Sequence, residues 1–174
     1  MNLKGTKTEK NLLAAFAGES MARTRYNIFS KIAEDQNCHL VAEIFNETAR
    51  NEFAHATRMF QFLHSIGNTE DNLASAAMGE HEEWSSLYKQ SASDAYEEGF
   101  NEIGDFFTKI ASIEKNHEER FLSLQNLLQN NTMFNGDTST YWICANCGYI
   151  HVGPQPPEYC DVCKYPRGYF SKKQ

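Results

Sequence analysis

Proline is absent from residues 1 to about 130, and all four prolines (Pro154, Pro156, Pro157 and Pro166) lie in the last part of the chain. Nothing in the long first stretch therefore interrupts helical hydrogen bonding. There is no basic run or stripe, and a net charge of −7 over 174 residues argues against a nucleic-acid partner. No apolar stretch approaches the roughly 20 residues that cross a bilayer, so no membrane partner is expected. A GxGxxG fingerprint is also missing, so any nicotinamide chemistry belongs to a separate protein. The opening segment, with Glu9 and Lys10 before a very short apolar run, is a poor secretory signal, which makes the cytoplasm the expected compartment. Cysteine is scarce before the end: Cys38 stands alone and receives no role, while Cys144, Cys147, Cys160 and Cys163 crowd together.

What is present is 41% hydrophobic, 22% charged and 13% aromatic, the composition of a globular chain long enough for a medium domain and a small second one. The polar stretch NNTMFNGDTST marks the change between them. The expected division is a helical domain over 1–134, a linker over 135–140 and a cysteine-rich domain over 141–174.

Four helices are expected in the first region. Thr6-Lys7-Thr8-Glu9 has the form of a capping box. The inner face of the first helix carries Leu12, Glu19, Ala22, Tyr26, Phe29 and Ala33. After a break at QNCH, the second stripe is Val41, Phe45, Thr48, Glu52, His55, Met59, Phe62, Ile66. GNTEDN (67–72) separates it from a third helix over 73 to about 97, with Leu73, Ala76, Glu80, Glu83 and Leu87 on one face. Beyond Gly99 the fourth stripe is Ile103, Phe107, Ile110, Glu114, His117, Phe121, Leu124, Leu128. Every position of the fourth stripe matches the second at an offset of 62, and Glu80 follows Glu19 by 61. The region reads as one helix pair written twice.

Positions i and i+3 share a helix face, so Glu52 and His55 point inward together, as do Glu114 and His117. One Glu from each of two helices, Glu19 and Glu80, joins a Glu-x-x-His from each of the other two. That set is the ligand arrangement of ferritin-like di-iron and di-manganese carboxylate proteins. Glu83, one turn beyond Glu80, adds a fifth inward carboxylate. Unpaired buried carboxylates cost several kcal/mol each, and two divalent cations would neutralise the cluster. A lone Glu-x-x-His is compatible with a solvated face; two, mid-stripe and with matching partner helices, are not. His81 and Glu82 fall off the inner face, and Glu9, Glu118 and Glu119 read as surface charges or caps.

Cys144-Ala-Asn-Cys147 and Cys160-Asp-Val-Cys163 place four thiolates on two tight turns, a set for tetrahedral zinc or a single iron. Gly148 suits a turn needing positive φ. Spacing alone leaves iron and structural zinc open.

AGESMARTRY, NEFAHA, GEHEEW, IEKNHEERF and CANCGYIHVGPQPPEYCDVC together resemble the rubrerythrin family over nearly the whole chain. The resemblance implies an all-α ferritin-like four-helix bundle followed by a small, mostly β, rubredoxin-like domain. It implies two non-haem irons, with Glu52 and Glu114 bridging, Glu19 on one ion, and Glu80 and His117 on the other. The first ion of such proteins exchanges the carboxylate matching Glu83 for the histidine matching His55 on reduction, and Tyr26 and Tyr88 match tyrosines around the site. A single iron is implied at Cys144, Cys147, Cys160 and Cys163, with zinc as a misloaded alternative. Asp161 departs from the family, whose members usually have proline there.

The activity implied is reduction of hydrogen peroxide to water and protection from oxidative stress, with electrons relayed through the four-cysteine iron from an NAD(P)H-dependent reductase or a rubredoxin. The competing expectations are a ferroxidase or iron-handling protein and a zinc-bound structural module. The resemblance also implies a head-to-tail homodimer. From Ile66 to Leu73 the chain reaches only about 25 Å, while returning past the metal layer takes roughly 30 Å along the axis. Helix pairs exchanged between two subunits are therefore expected.

Overall fold

A computed structural model describes residues 3–173; Met1 and Asn2, the start of the segment read as a poor export signal, and Gln174 lie outside the described residues. The helices divide between two compact units that adjoin in sequence at Asn68 and Thr69.

In the first unit Thr6 opens helix α1 (Lys7–Asp35) as the spacing predicts. Its hydroxyl accepts the Glu9 N–H at 3.1 Å, and the Glu9 carboxylate accepts the Gly5 N–H at 2.6 Å. Such a cap contributes about 1 kcal/mol. Asn37, in the left-handed region at φ 59°, reverses the chain into α2 (His39–Phe62). Stacked Phe16 and Phe60, stacked Tyr26 and Phe45, and a 3.0 Å bond from the Ser30 hydroxyl to the Ala42 carbonyl fix an antiparallel register. The residues buried between the helices are small: Ser30, Ala33, Ala42, Ala49 and Ala56. Small side chains at the seam let the two axes approach closely.

The second unit repeats this plan. Helix α3 (Thr69–Glu82) passes through a π-helical turn, Glu83–Leu87, into α4 (Tyr88–Glu97); Gly99 at φ 85° then reverses the chain into α5 (Asn101–Gln129). The turn residues Asn37 and Gly99, and the buried pairs Ser30/Ala92, Ala33/Ala95 and Ala42/Gly104, all keep the offset of 62. A Cβ on Gly104 would stand 2.5 Å from the Tyr96 ring, whose hydroxyl bonds Asp105 at 2.8 Å.

Three expectations are corrected. Ile66 does not extend the second stripe, because His64 at φ 53° ends α2 and the Ser65 N–H returns to the Phe60 carbonyl at 3.2 Å. Helix α3 starts at Thr69, inside the segment expected to separate the helices. The third helix is not uniformly α: the π turn takes in one extra residue and rotates everything after it by about 100°. Leu87, expected on the inner face, is the last residue of that turn.

The C-terminal segment of the second unit is a three-stranded antiparallel sheet, order β2-β1-β3, made of β1 (Tyr141–Cys144), β2 (Ile150–Val152) and β3 (Phe170–Lys172). Trp142, Cys144, Cys160 and Phe170 form its buried core, and the Trp142 indole donates to the Gly153 carbonyl at 2.9 Å.

Candidate metal centres

On the first helix pair, α1 carries Glu19 and α2 carries Glu52 and His55, and their ligand-type atoms all lie within 4.8 Å of one another. His55 Nδ1 stands 3.0 Å from Glu52 Oε2 and 3.9 Å from Glu19 Oε1. The second pair reproduces the cluster with Glu80 from α3 and Glu114 and His117 from α5. There His117 Nδ1 stands 2.6 Å from Glu114 Oε2 and 3.8 Å from Glu80 Oε2. Among the described residues, only these histidines, and no Lys or Arg, form ion pairs with the four carboxylates.

The carboxylates strain against one another. A hydrogen bond to Glu52, then burial and the Glu52 charge, raise the Glu19 pKa above 4.5 against the opposing pull of His55. Burial first, then the Glu114 and Glu83 charges, raise that of Glu80. Carboxyls pushed toward the neutral form, with an imidazole nitrogen aimed at them and no basic side chain, fit a cation-binding donor set.

Glu83 belongs to neither three-residue cluster. It opens the π turn, and its charge acts on the phenol of Tyr88, the residue that follows that stretch. Burial, and next the Glu83 charge, hold the Tyr88 phenol above its usual value of 10.0. The turn also explains the break in the repeat: Gly18-Glu19 and Gly79-Glu80 are 61 apart, whereas Tyr26 and Tyr88 are 62 apart. One residue enters between them, where the helix widens. The change of offset was the sequence signal for it. Tyr26 stacks on Phe45 at 6.0 Å and Tyr88 on Phe107 at 5.9 Å, so each tyrosine holds the same place in its pair.

Glu118 corrects another expectation. It is no surface charge: its side chain is only 16% exposed, and its carboxylate accepts from the Trp84 indole and lies 3.0 Å from His81 Nδ1. In the first repeat the matching residue is Ala56, which is buried. A carboxylate replacing a buried alanine was the available signal. Glu9 is the helix cap described above.

The two cysteine turns are closed by the Gly148 N–H to the Cys144 carbonyl at 2.8 Å and the Lys164 N–H to the Cys160 carbonyl at 2.9 Å. Both closing residues are left-handed, Gly148 at φ 76° and Lys164 at φ 60°. Sulfur separations are 3.7 Å for Cys144–Cys163 and 3.6 Å for Cys147–Cys160. A tetrahedron with metal–sulfur arms of about 2.3 Å has edges of about 3.8 Å. Four thiolates this close cannot all carry charge without a cation. The Asn146 amide and the Tyr165 N–H pull Cys163 down to about 6. Cys147 stands at about 12, because burial and its neighbouring thiols outweigh the Tyr149 N–H that pulls it down. Asp161 receives a long 3.4 Å bond from the Tyr149 hydroxyl.

Sequence comparison with known proteins covers both the helices and the cysteine-rich segment. The Rubrerythrin family model matches residues 10–125, and the model described as Rubrerythrin, rubredoxin-like domain matches residues 142–171. A rubrerythrin of Porphyromonas gingivalis is 42% identical over 182 residues, covering 97% of this chain and 91% of that protein. One of Nitratidesulfovibrio vulgaris is 41% identical over 182 residues, covering 97% and 95%. A structure of partially reduced nigerythrin aligns at 30% identity over 97% of this chain and 87% of its own, with a TM-score of 0.38. No helix among the described residues is long and apolar enough to cross a membrane. With paired Glu/Glu/His clusters on its helices and four thiols within 4.8 Å of one another in the segment that follows them in sequence, the chain belongs to the rubrerythrin family.

Proposed function

We propose that this chain is a peroxidase that reduces hydrogen peroxide to water and protects against oxidative stress. The observation that carries the reading is the presence on one polypeptide of two matched Glu/Glu/His clusters and a site of four thiols within 4.8 Å of one another. Glu52 and Glu114 would be shared between the two irons, Glu19 would serve one ion, and Glu80 and His117 would serve the other. Glu83 and His55 would take turns as a ligand with redox state. When bound, the iron pair would supply the two electrons that reduction of peroxide needs.

The side chains handle position and protons. Peroxide needs two electrons and two protons to become two waters. The Tyr88 phenol keeps its proton, because burial and the Glu83 charge raise its pKa, and a protonated phenol can donate to Glu83. Glu83 is thereby steadied while free to trade places with His55. Cys144, Cys147, Cys160 and Cys163 would hold a single iron that could return electrons. An iron-storage role would need no such return path, which is why the ferroxidase reading ranks second.

The donor is a separate NAD(P)H-dependent reductase or a rubredoxin, and the protein works as a head-to-tail homodimer in the cytoplasm, where cysteines stay reduced. Residues 1–134 bear the iron pair, 135–140 link, and 141–174 bear the single iron. The dimer exchanges helix pairs. Glu52 lies ten residues before the end of α2 and Glu80 eleven after the start of α3, so a ferritin-like return spans roughly 30 Å along the axis. The chain from Phe62 to Thr69 reaches about 25 Å at most.

Stopped-flow oxidation of the fully reduced protein tests the activity. Peroxide is expected to outpace dioxygen by a wide margin; faster oxidation by dioxygen would overturn the peroxidase reading in favour of ferrous oxidation.

A further inference from the structure

The π turn at Glu83–Leu87 is gripped from across the helix pair, and the grip lies outside both ligand clusters. Glu118 follows His117 on α5. One of its oxygens accepts from the Trp84 indole, and the other lies 3.0 Å from His81 Nδ1. The His81 ring meets the Trp84 ring edge-on, with centroids 5.2 Å apart and planes at 81°. A single carboxylate therefore holds the residue after Glu80 and the residue after Glu83.

The first helix pair has no such grip. Ser20 corresponds to His81, and its hydroxyl turns back to the Phe16 carbonyl of its own helix at 2.7 Å. Ala56 corresponds to Glu118 and is buried. Helix α1 runs without a π turn. The grip and the π turn occur in the same repeat. A π turn replaces regular i→i−4 bonding with i→i−5 bonding, so contacts from outside the helix bear directly on its geometry.

We propose that Glu118 is a positioning residue: by holding His81 and Trp84 it fixes the π turn, and through it the reach of the Glu83 carboxylate. This rests on the reading of Glu83 as the carboxylate that alternates with His55.

The test uses the iron-loaded, full-length protein and the variants Glu118→Ala, Glu118→Gln, Trp84→Phe and Glu83→Ala. None of Glu118→Ala, Glu118→Gln and Trp84→Phe removes a proposed ligand, so metal analysis should return the full iron content for these three. Amide exchange over residues 84–88 should rise at least about tenfold in Glu118→Ala and Trp84→Phe, the loss expected for one charge-assisted hydrogen bond, with α2 unchanged. Glu118→Gln retains an acceptor for Trp84 and a donor for His81, so it should restore slow exchange. The peroxide rate of Glu118→Ala should shift in the direction of Glu83→Ala, and the double variant should match Glu83→Ala alone. Unchanged exchange over 84–88 in Glu118→Ala would overturn the proposal. So would a lowered melting temperature with an unchanged peroxide rate when Glu83→Ala does change that rate. If Glu83→Ala itself leaves the rate unchanged, the alternation reading fails, and the exchange data alone decide whether Glu118 holds the turn.

Discussion

Nδ1 of His117 lies 2.6 Å from Oε2 of Glu114, one turn earlier on the same helix, and His55 meets Glu52 in the same way at 3.0 Å. Both donors of each pair come from a single helix, so their spacing is set before any tertiary contact forms. Glu52→Ala or Glu114→Ala is expected to abolish the iron pair and peroxide turnover while leaving the four-cysteine iron in place. Metal analysis should fall to about one iron per chain, on the reading that two of three belong to the helices. Retained iron and turnover would refute the assignment.

Glu83→Ala should behave differently. Its carboxylate lies outside both clusters and is reached by Tyr88, so iron loading should persist. The peroxide reaction should slow by roughly tenfold or more, since a ligand change linked to reduction is lost. Identical stopped-flow traces for the variant and the parent would count against this role.

The crowded carboxylates make a pH prediction for metal-stripped protein. Glu19 and Glu80 have folded pKa values raised above 4.5, so the fold favours their protonated forms. Their contribution to stability is present below the unfolded value and is lost as pH rises through the raised folded value. Glu80→Gln mimics the protonated carboxyl permanently. Without metal, the variant should therefore melt higher than the parent near pH 7, with the difference shrinking toward about pH 4.5. With iron added the order should reverse. A Glu80→Gln variant no more stable than the parent at pH 7 without metal would remove the argument that repulsion dominates the cluster.

Cys160 is fully buried in the core of the C-terminal sheet, beside Trp142. Metal contributes on the order of 10 kcal/mol to folding such small sites. Cys160→Ser should abolish the visible absorption of the four-cysteine iron and expose Trp142, shifting its fluorescence to the red. A single turnover with peroxide should survive, but repeated turnover should stop because no electrons return. Continued turnover with a donor system would rule out the relay.

Exchange of helix pairs predicts that the iron pair assembles only in a dimer. Sedimentation of iron-loaded protein over a wide dilution range should show iron leaving the helices as dimers dissociate. A folded monomer holding a complete iron pair would exclude the exchange.

Much of the site was readable because its information is local. Glu-x-x-His on a helix places two donors on one face in any context. Writing the pair twice, at Glu52 and His55 and again at Glu114 and His117, turned a weak motif into a strong one. The cysteine turns were equally local, although Lys164 as the left-handed counterpart of Gly148 was not read, since lysine carries no marker for positive φ. The π turn was missed because one inserted residue leaves an apolar periodicity that still looks helical. Only the slip in offset, from Glu19/Glu80 to Tyr26/Tyr88, recorded it.

By itself, the sequence determined the family and the division into helices and a cysteine-rich segment, and it named the candidate donor residues, because residue chemistry at short spacings carries all three. Tertiary structure alone decided that Glu118 is held between His81 and Trp84, and that Cys144 stands 3.7 Å from Cys163 and Cys147 3.6 Å from Cys160, sulfur to sulfur. Those relations join residues far apart in the chain, and their distances depend on how one element is rotated and seated against another. Periodicity within a helix or the spacing within one turn carries no record of that placement.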